Sequence, residues 1–158
     1  MKTNKSLHSV FFLNGSNLGD RIRFLEIAEQ SLCQHIGRLV ARSSVYESEP
    51  WGFSAEQNFL NQVLIIETEL NPHEILETAG KIETENGRIR SGNGYSSRTL
   101  DIDILYYDSL ILNTPDLQIP HRRLHERRFA LLPLCEIAPQ FLHPVLKLTS
   151  EQMLHVTN

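Results

Sequence analysis

The stretch Leu100-Asp101-Ile102-Asp103-Ile104-Leu105 sets two carboxylates on alternate residues of an otherwise apolar run. In a strand, alternate residues share a face. Ile102 and Ile104 would then point into a core while Asp101 and Asp103 point the other way, their Cα atoms about 7 Å apart. Like charges so placed are unfavourable unless a cation neutralises them, and magnesium takes one or two carboxylates together with water and substrate phosphates. The plainer reading is the solvent-facing side of an edge strand, since Asp-x-Asp is common by itself. The arginines favour the metal. Seven of the eleven (Arg88, Arg90, Arg98, Arg122, Arg123, Arg127, Arg128) fall between positions 88 and 128, against four lysines in the whole chain. Arginine grips phosphate oxygens bidentately, so the cluster points to a polyphosphate ligand.

These groups need a scaffold. Leu7 to Leu13 reads as a buried strand, Gly15 to Asp20 as a turn, and Phe24, Leu25, Ala28, Leu32 and Ile36 as one face of a helix. A second strand is expected from Leu39 to Glu47, ended by Pro50-Trp51-Gly52, and a third from Phe59 to Thr68. Asn71-Pro72-His73-Glu74 is a helix start, with Asn at the cap, Pro in the first position and Glu in the third. The segment from Glu85 to Ser97, rich in Gly, Ser and Asn, reads as a mobile loop, and Leu100 to Tyr107 as the fourth strand. The order β-α-β-β-α-β predicts an α+β, ferredoxin-like core with an antiparallel sheet packed by helices. A C-terminal strand and helix extension follows, its helical pattern from Leu124 to Ile137 kinked or broken near Pro133.

Composition narrows the class. With 41% apolar and 22% charged residues the chain matches an ordinary globular protein, expected as a single domain over residues 1–158. No run approaches the ~20 apolar residues of a membrane span, and Val10 to Leu13 is too short for a secretion signal, so a cytoplasmic location is expected. Cys33 and Cys135 have no metal-type spacing and read as buried free thiols. A net charge of -4 argues against a nucleic-acid partner. No Gly-x-x-x-x-Gly-Lys-Ser/Thr stretch is present, and Gly15-Ser16-Asn17-Leu18-Gly19 does not fit the dinucleotide fingerprint. Phosphoryl transfer needs positioning and charge neutralisation more than covalent help, so a basic loop beside two aspartates suits it as a lid.

Five motifs recur in an order that resembles a known family. They are Gly15-Ser16-Asn17-Leu18-Gly19-Asp20-Arg21, Tyr46-Glu47-Ser48-Glu49-Pro50-Trp51-Gly52, Phe59-Leu60-Asn61, Arg98-Thr99-Leu100-Asp101-Ile102-Asp103-Ile104, and Pro120-His121 with His125-Glu126-Arg127-Arg128-Phe129. Together, with Glu136-Ile137-Ala138-Pro139 and His143-Pro144, they resemble the 6-hydroxymethyl-7,8-dihydropterin pyrophosphokinases from about residue 9 onward.

The resemblance implies an enzyme that moves pyrophosphate from ATP to the pterin hydroxymethyl group in folate biosynthesis, releasing AMP. It implies two magnesium ions on Asp101 and Asp103, and Arg88 and Arg98 acting on the phosphates. Further ATP contacts would come from Arg90, Tyr95, Ile104, His121 and Arg127. Asn61 would hydrogen-bond the pterin edge, Phe59 and Phe129 would sandwich its ring, and Ser48 and Trp51 would complete its recognition. Glu83 would stand at the wall of the site. The partners would be small molecules only, and the chain a monomer.

Each assignment has a duller rival. Phe59 and Phe129 could be core residues, Asn61 could end a strand ladder, and His121 could be an ordinary loop histidine. Two other function classes stay open on the residues alone: a metal-dependent phosphohydrolase built on Asp101 and Asp103, and a non-catalytic ferredoxin-like module. The family pattern is also not followed everywhere. Asn14 stands where a branched apolar residue is usual, Ser97 where a proline is, and Tyr95 where a tryptophan is. Tyr95 offers less stacking area and a polar tip, which predicts weaker lid closure. Tyr95→Trp should therefore lower the Michaelis constant for the pterin, and an unchanged constant would count against this reading.

Overall fold

A computed structural model describes residues 6–49, 57–87 and 99–157. Its centre is β1 (His8–Ser16), which pairs antiparallel with β4 (Phe59–Thr68) on one side and β5 (Asp101–Tyr107) on the other. β2 (Gly37–Arg42) and the short β3 (Tyr46–Ser48) both line the far edge of β4. The strand order β2-β4-β1-β5 is that of the ferredoxin-like sheet expected from the element order.

The expected first strand ends at Leu13, whereas β1 continues through Asn14, Gly15 and Ser16. Partners on both edges explain this. Gly15 lies opposite Asn61 on one side and Asp101 on the other, so its backbone joins two ladders rather than a turn. The expected second strand is likewise split. At Ser43 the backbone N–H donates to Val63 O at 2.9 Å, but it is the Ser43 hydroxyl that accepts from Val63 N, at 2.9 Å. A side chain has taken a place in the ladder and the strand is interrupted there.

α1 (Arg21–His35) and α2 (Pro72–Glu85) cover one face of the sheet. α2 starts as predicted, with the Asn71 side chain accepting from Glu74 N and the Glu74 side chain from Asn71 N. Ala28, Leu32, Ile75, Ala79 and Ile82 meet Val10, Phe12, Leu64, Ile66, Ile102 and Ile104 in the first core. Each large aliphatic side chain so buried contributes about 1.5–3 kcal/mol. Gly37, where α1 passes into β2, has no room for a side chain: a Cβ would sit 1.8 Å from Glu67 O.

The C-terminal extension covers the other face. After the short β6 (Leu112–Asn113) and β7 (Gln118–Ile119) come a 3-10 turn at Leu124–Glu126, α3 (Arg128–Ile137) and α4 (Ser150–Val156). Ala130, Leu131, Leu134 and Met153 pack on Phe11, Leu13, Val63, Ile65, Leu105 and Tyr106 as a second core. Of the kink or break expected near Pro133, the break is absent: α3 runs through it, and the chain leaves helical geometry at Arg127 (φ −114°, ψ 96°). Pro133 withdraws a donor only from the carbonyl of Phe129, in the first turn. Both cysteines are half-buried free thiols rather than fully buried ones. No helix among the described residues is long and apolar enough to cross a membrane.

Asn14 faces the first core between Gln62 and Ile102, fully buried, and its amide makes no hydrogen bond among the described residues. A buried polar group left so costs about 1–3 kcal/mol. Asn14→Val should raise the thermal midpoint by roughly 2–8 °C for a chain of this size. An unchanged or lower midpoint in calorimetry would mean that the amide is satisfied and stabilising.

Candidate active site

The carboxylates sit as strand alternation demands. Ile102 and Ile104 are buried in the first core, whereas Asp101 and Asp103 are half-buried on the opposite face, where Asp103 shares a row with Leu13 and Asp101 with Gly15. α3 covers this face over Leu13 and Val63 but not over the end of the sheet where Gly15 lies. At that end Gly15 is itself buried. Gly15 contributes no side chain between Asn61 and Asp101, and a methyl added to it would lie 3.2 Å from Asn61 Oδ1 and 3.7 Å from the Phe59 ring. Two inter-strand steps separate Asn61 from Asp101, about 10 Å between backbones.

On the β4 side, Asn61 is buried and its Nδ2 donates to Ser48 Oγ at 2.8 Å. That bond holds the amide so that Oδ1, an acceptor, lies toward Gly15. Phe59, two residues earlier, stands on the same face, and its entry is braced by Arg21, which donates to Asn58 O at 2.9 Å. Phe129 lies in the first turn of α3 at the margin of the second core.

On the β5 side, Arg127 ends the extended link before α3. Its guanidinium is 3.9 Å from Asp103 Oδ2 and 5.5 Å from the centre of the Phe129 ring, so one cation touches both the charged and the aromatic parts. A bulge positions the next group. Phe12 pairs with Ile104 and Phe11 with Tyr106, so Leu105 has no opposite residue, and its carbonyl accepts from His121 N at 3.0 Å. His121 Nδ1 accepts from Arg123 N at 3.2 Å, which places the imidazole proton on Nε2. Burial, then the neighbouring Arg127 guanidinium, holds His121 down at about 4 against the pull of Asp101. It is a neutral donor. A cleft of about 380 Å³ beside the outer edge of β5 is lined by Asp103, Ile104, Leu117, His121, Arg123 and Arg127.

Glu83 reaches round the edge of β5 from α2. It is buried, and its Oε2 accepts from Ile102 N at 2.8 Å, pinning the backbone between the two aspartates. Among the described residues no three His, Cys, Asp or Glu side chains form a metal-holding group. Magnesium suits a pair such as Asp101 and Asp103, since it takes one or two carboxylates together with water and substrate oxygens.

The structure therefore brings Asn61, Phe59, Asp101, Asp103, Ile104, His121 and Arg127 to one end of the sheet, with Ser48 and Phe129 flanking it. Trp51, Arg88, Arg90, Tyr95 and Arg98 lie outside the described residues. Two contributors were missed. Gly15 was read as a turn glycine, and the anchor role of Arg21 has no sequence signal beyond its place in a motif.

Comparison with known proteins gives the family. Residues 11–139 match the family described as 7,8-dihydro-6-hydroxymethylpterin-pyrophosphokinase. The chain belongs to this family. A 2-amino-4-hydroxy-6-hydroxymethyldihydropteridine pyrophosphokinase of Porphyromonas gingivalis is 42% identical over 138 residues, 85% of this chain and 93% of that protein. The protein of the same name in Bacillus subtilis is 43% identical over 127 residues, 80% of this chain and 75% of that one. The folic acid synthesis protein FOL1 of Dictyostelium discoideum is 38% identical over 157 residues, 96% of this chain but 23% of that longer protein. In fold, the chain resembles the crystal structure of Plasmodium falciparum HPPK-DHPS with a TM-score of 0.78 at 15% identity, covering 98% of this chain and 45% of that one.

His121 should show its buried, neutral character directly. It stays neutral in the folded chain while an unfolded histidine charges near 6.5, so between there and about pH 4 the folded state binds fewer protons. Its contribution to stability is lost as pH falls through that window. Imidazole NMR on the metal-free protein should show no His121 titration above about pH 5, and a midpoint above 6 would contradict the placement.

Proposed function

We propose that this chain transfers pyrophosphate from ATP to the hydroxymethyl group of 6-hydroxymethyl-7,8-dihydropterin, yielding AMP and the pterin diphosphate for folate biosynthesis. The observation that carries the reading is the row Asn61–Gly15–Asp101 across three strands, continued by Asp103, Arg127 and His121. It lays an amide suited to a flat heterocycle, a carboxylate pair and a basic cleft along one floor. The phosphohydrolase reading finds no support among the relatives, which are named for the transfer.

On this reading the pterin lies over Gly15, its N–H edge bonded to Asn61 Oδ1 and its ring between Phe59 and Phe129, with Ser48 and Trp51 completing recognition. Its hydroxymethyl oxygen then points at the β-phosphorus, a new P–O bond forms there as the hydroxyl proton passes to water, and the bond from the β-phosphorus to the α-phosphate oxygen breaks as AMP leaves with that oxygen. The reading places ATP over Ile104 in the cleft beside β5, with Arg90 and Tyr95 as further contacts. Arg127 and the Nε2–H of His121 neutralise charge on the phosphates without themselves changing protonation. Arg88 and Arg98 add charge from the segment before β5. Two magnesium ions on Asp101 and Asp103 would supply charge neutralisation across the polyphosphate. A single domain acting as a cytoplasmic monomer on small molecules, without nucleic acid, completes the reading.

The test is AMP release from ATP and magnesium with and without the pterin. AMP should appear only with the pterin, and Asp101→Asn or Asp103→Asn should lower the rate roughly a thousandfold or more. ADP or phosphate as product would overturn the function, and near wild-type turnover in either variant would overturn the metal assignment.

A further inference from the structure

The pterin slot assigned above has two walls that belong to different layers. Phe59 and Asn61 come from β4, an interior strand that also pairs with β1, Ser48 comes from the edge strand β3, and Phe129 comes from α3. α3 is fixed to the second core through Ala130, Leu131 and Leu134, whereas β3 is three residues long and lies at the sheet edge. So short an edge strand is weakly held by pairing alone. A separate contact joins the two walls.

Glu136, one turn after the core residues of α3, extends its carboxylate to the segment leading into β3. Its Oε1 accepts from the Tyr46 hydroxyl at 2.6 Å. The Ser44 N–H reaches both oxygens, at 3.1 and 3.0 Å, and the Ser44 hydroxyl donates to Oε2 at 3.1 Å. Three donors from one short stretch thus converge on one carboxylate some ninety residues away in sequence. Tyr46 is in register with Asn61, and Ser48, two residues on, accepts from the Asn61 amide. The contact therefore bears on the residue that reads the heterocycle. Nothing in it reaches Asp101, Asp103, His121 or Arg127.

We propose that Glu136 is a positioning residue for the pterin end of the site: by tying Ser44 and Tyr46 to α3 it fixes where β3, and with it the Ser48 hydroxyl that holds the Asn61 amide, stands relative to the Phe129 wall. The inference rests on the pterin assignment made above. The Tyr46 hydroxyl, with Ser44, holds the Glu136 carboxyl below its ordinary range, and the same bond pushes the Tyr46 hydroxyl up. The tie is thus present at neutral pH and is lost only as pH falls through that depressed value. A planar ring held between that amide and an aromatic face is sensitive to their spacing, because dispersion contact falls steeply over a gap of 0.5–1 Å.

Steady-state kinetics on Glu136→Gln, Tyr46→Phe and the double variant test this, each substrate being varied at saturation of the other. Glu136→Gln should raise KM for the pterin about five- to tenfold while KM for ATP and kcat move less than twofold. Tyr46→Phe should shift the same constant in the same direction, and the double variant should add little to Glu136→Gln, as expected for two ends of one contact. Equal rises in both Michaelis constants would make Glu136 a general stabiliser, and an unmoved pterin constant would remove its role; either overturns the proposal. If Glu136→Gln does not fold, Tyr46→Phe, which deletes one hydroxyl, carries the same readout. Wild-type enzyme assayed alongside separates the two levels. Failure to release AMP with the pterin would overturn the function and this inference together, whereas normal wild-type turnover with unmoved variants overturns the inference alone.

Discussion

Strand alternation in β5 is the constraint on which the rest of the site depends. Ile102 and Ile104 are held in the first core by α1 and α2, so Asp101 and Asp103 have no choice but to emerge together on the other face. A one-residue slip would bury both carboxylates. Glu83 on Ile102 N and the ladder to β1 lock the backbone against that slip from its two edges. The apolar residues thus fix the polar ones, and the free energy that holds the carboxylates in place is that of core burial.

The floor at that end is set by the central strand. α3 and α4 seal the second face over Leu13, Val63 and Tyr106, and the sheet continues beyond them to Gly15. At that end the central strand carries no side chain, and the rims are supplied by Asn61 from one neighbour and Asp101 from the other. A ligand lying there meets hydrogen-bonding and charged groups on the same short stretch of sheet, which is how binding and reaction can share one geometry.

Charge at the site is arranged by burial as much as by sign. Arg127 lies beside Asp103, whereas His121, close to the same guanidinium and largely shielded from water, is held neutral and serves as a dipolar donor. The bulge at Leu105 and the Arg123 N–H fix which nitrogen faces outward. A positively charged imidazole there would repel the arginines that must approach the same phosphates.

Much of this was legible in the sequence because the signals are local. Alternation in Leu100–Leu105, the Asn71 capping box and the crowding of arginines between 88 and 128 each express a short-range rule, and the ordered motifs carried the family. What the sequence could not decide is whatever depends on a partner distant in the chain. Asn14 to Ser16 read as the approach to a turn, yet they are strand because β4 and β5 claim both their edges. The second strand read as continuous until the Ser43 hydroxyl met Val63, and Pro133 read as a kink or a break before α3 had a core to bind. Gly15 as floor, Glu83 as edge pin and Glu136 as tie arise from pairings 19 to 92 residues apart, where the composition of neither segment announces the other. Local chemistry chose the residues, and non-local packing decided which of them would meet.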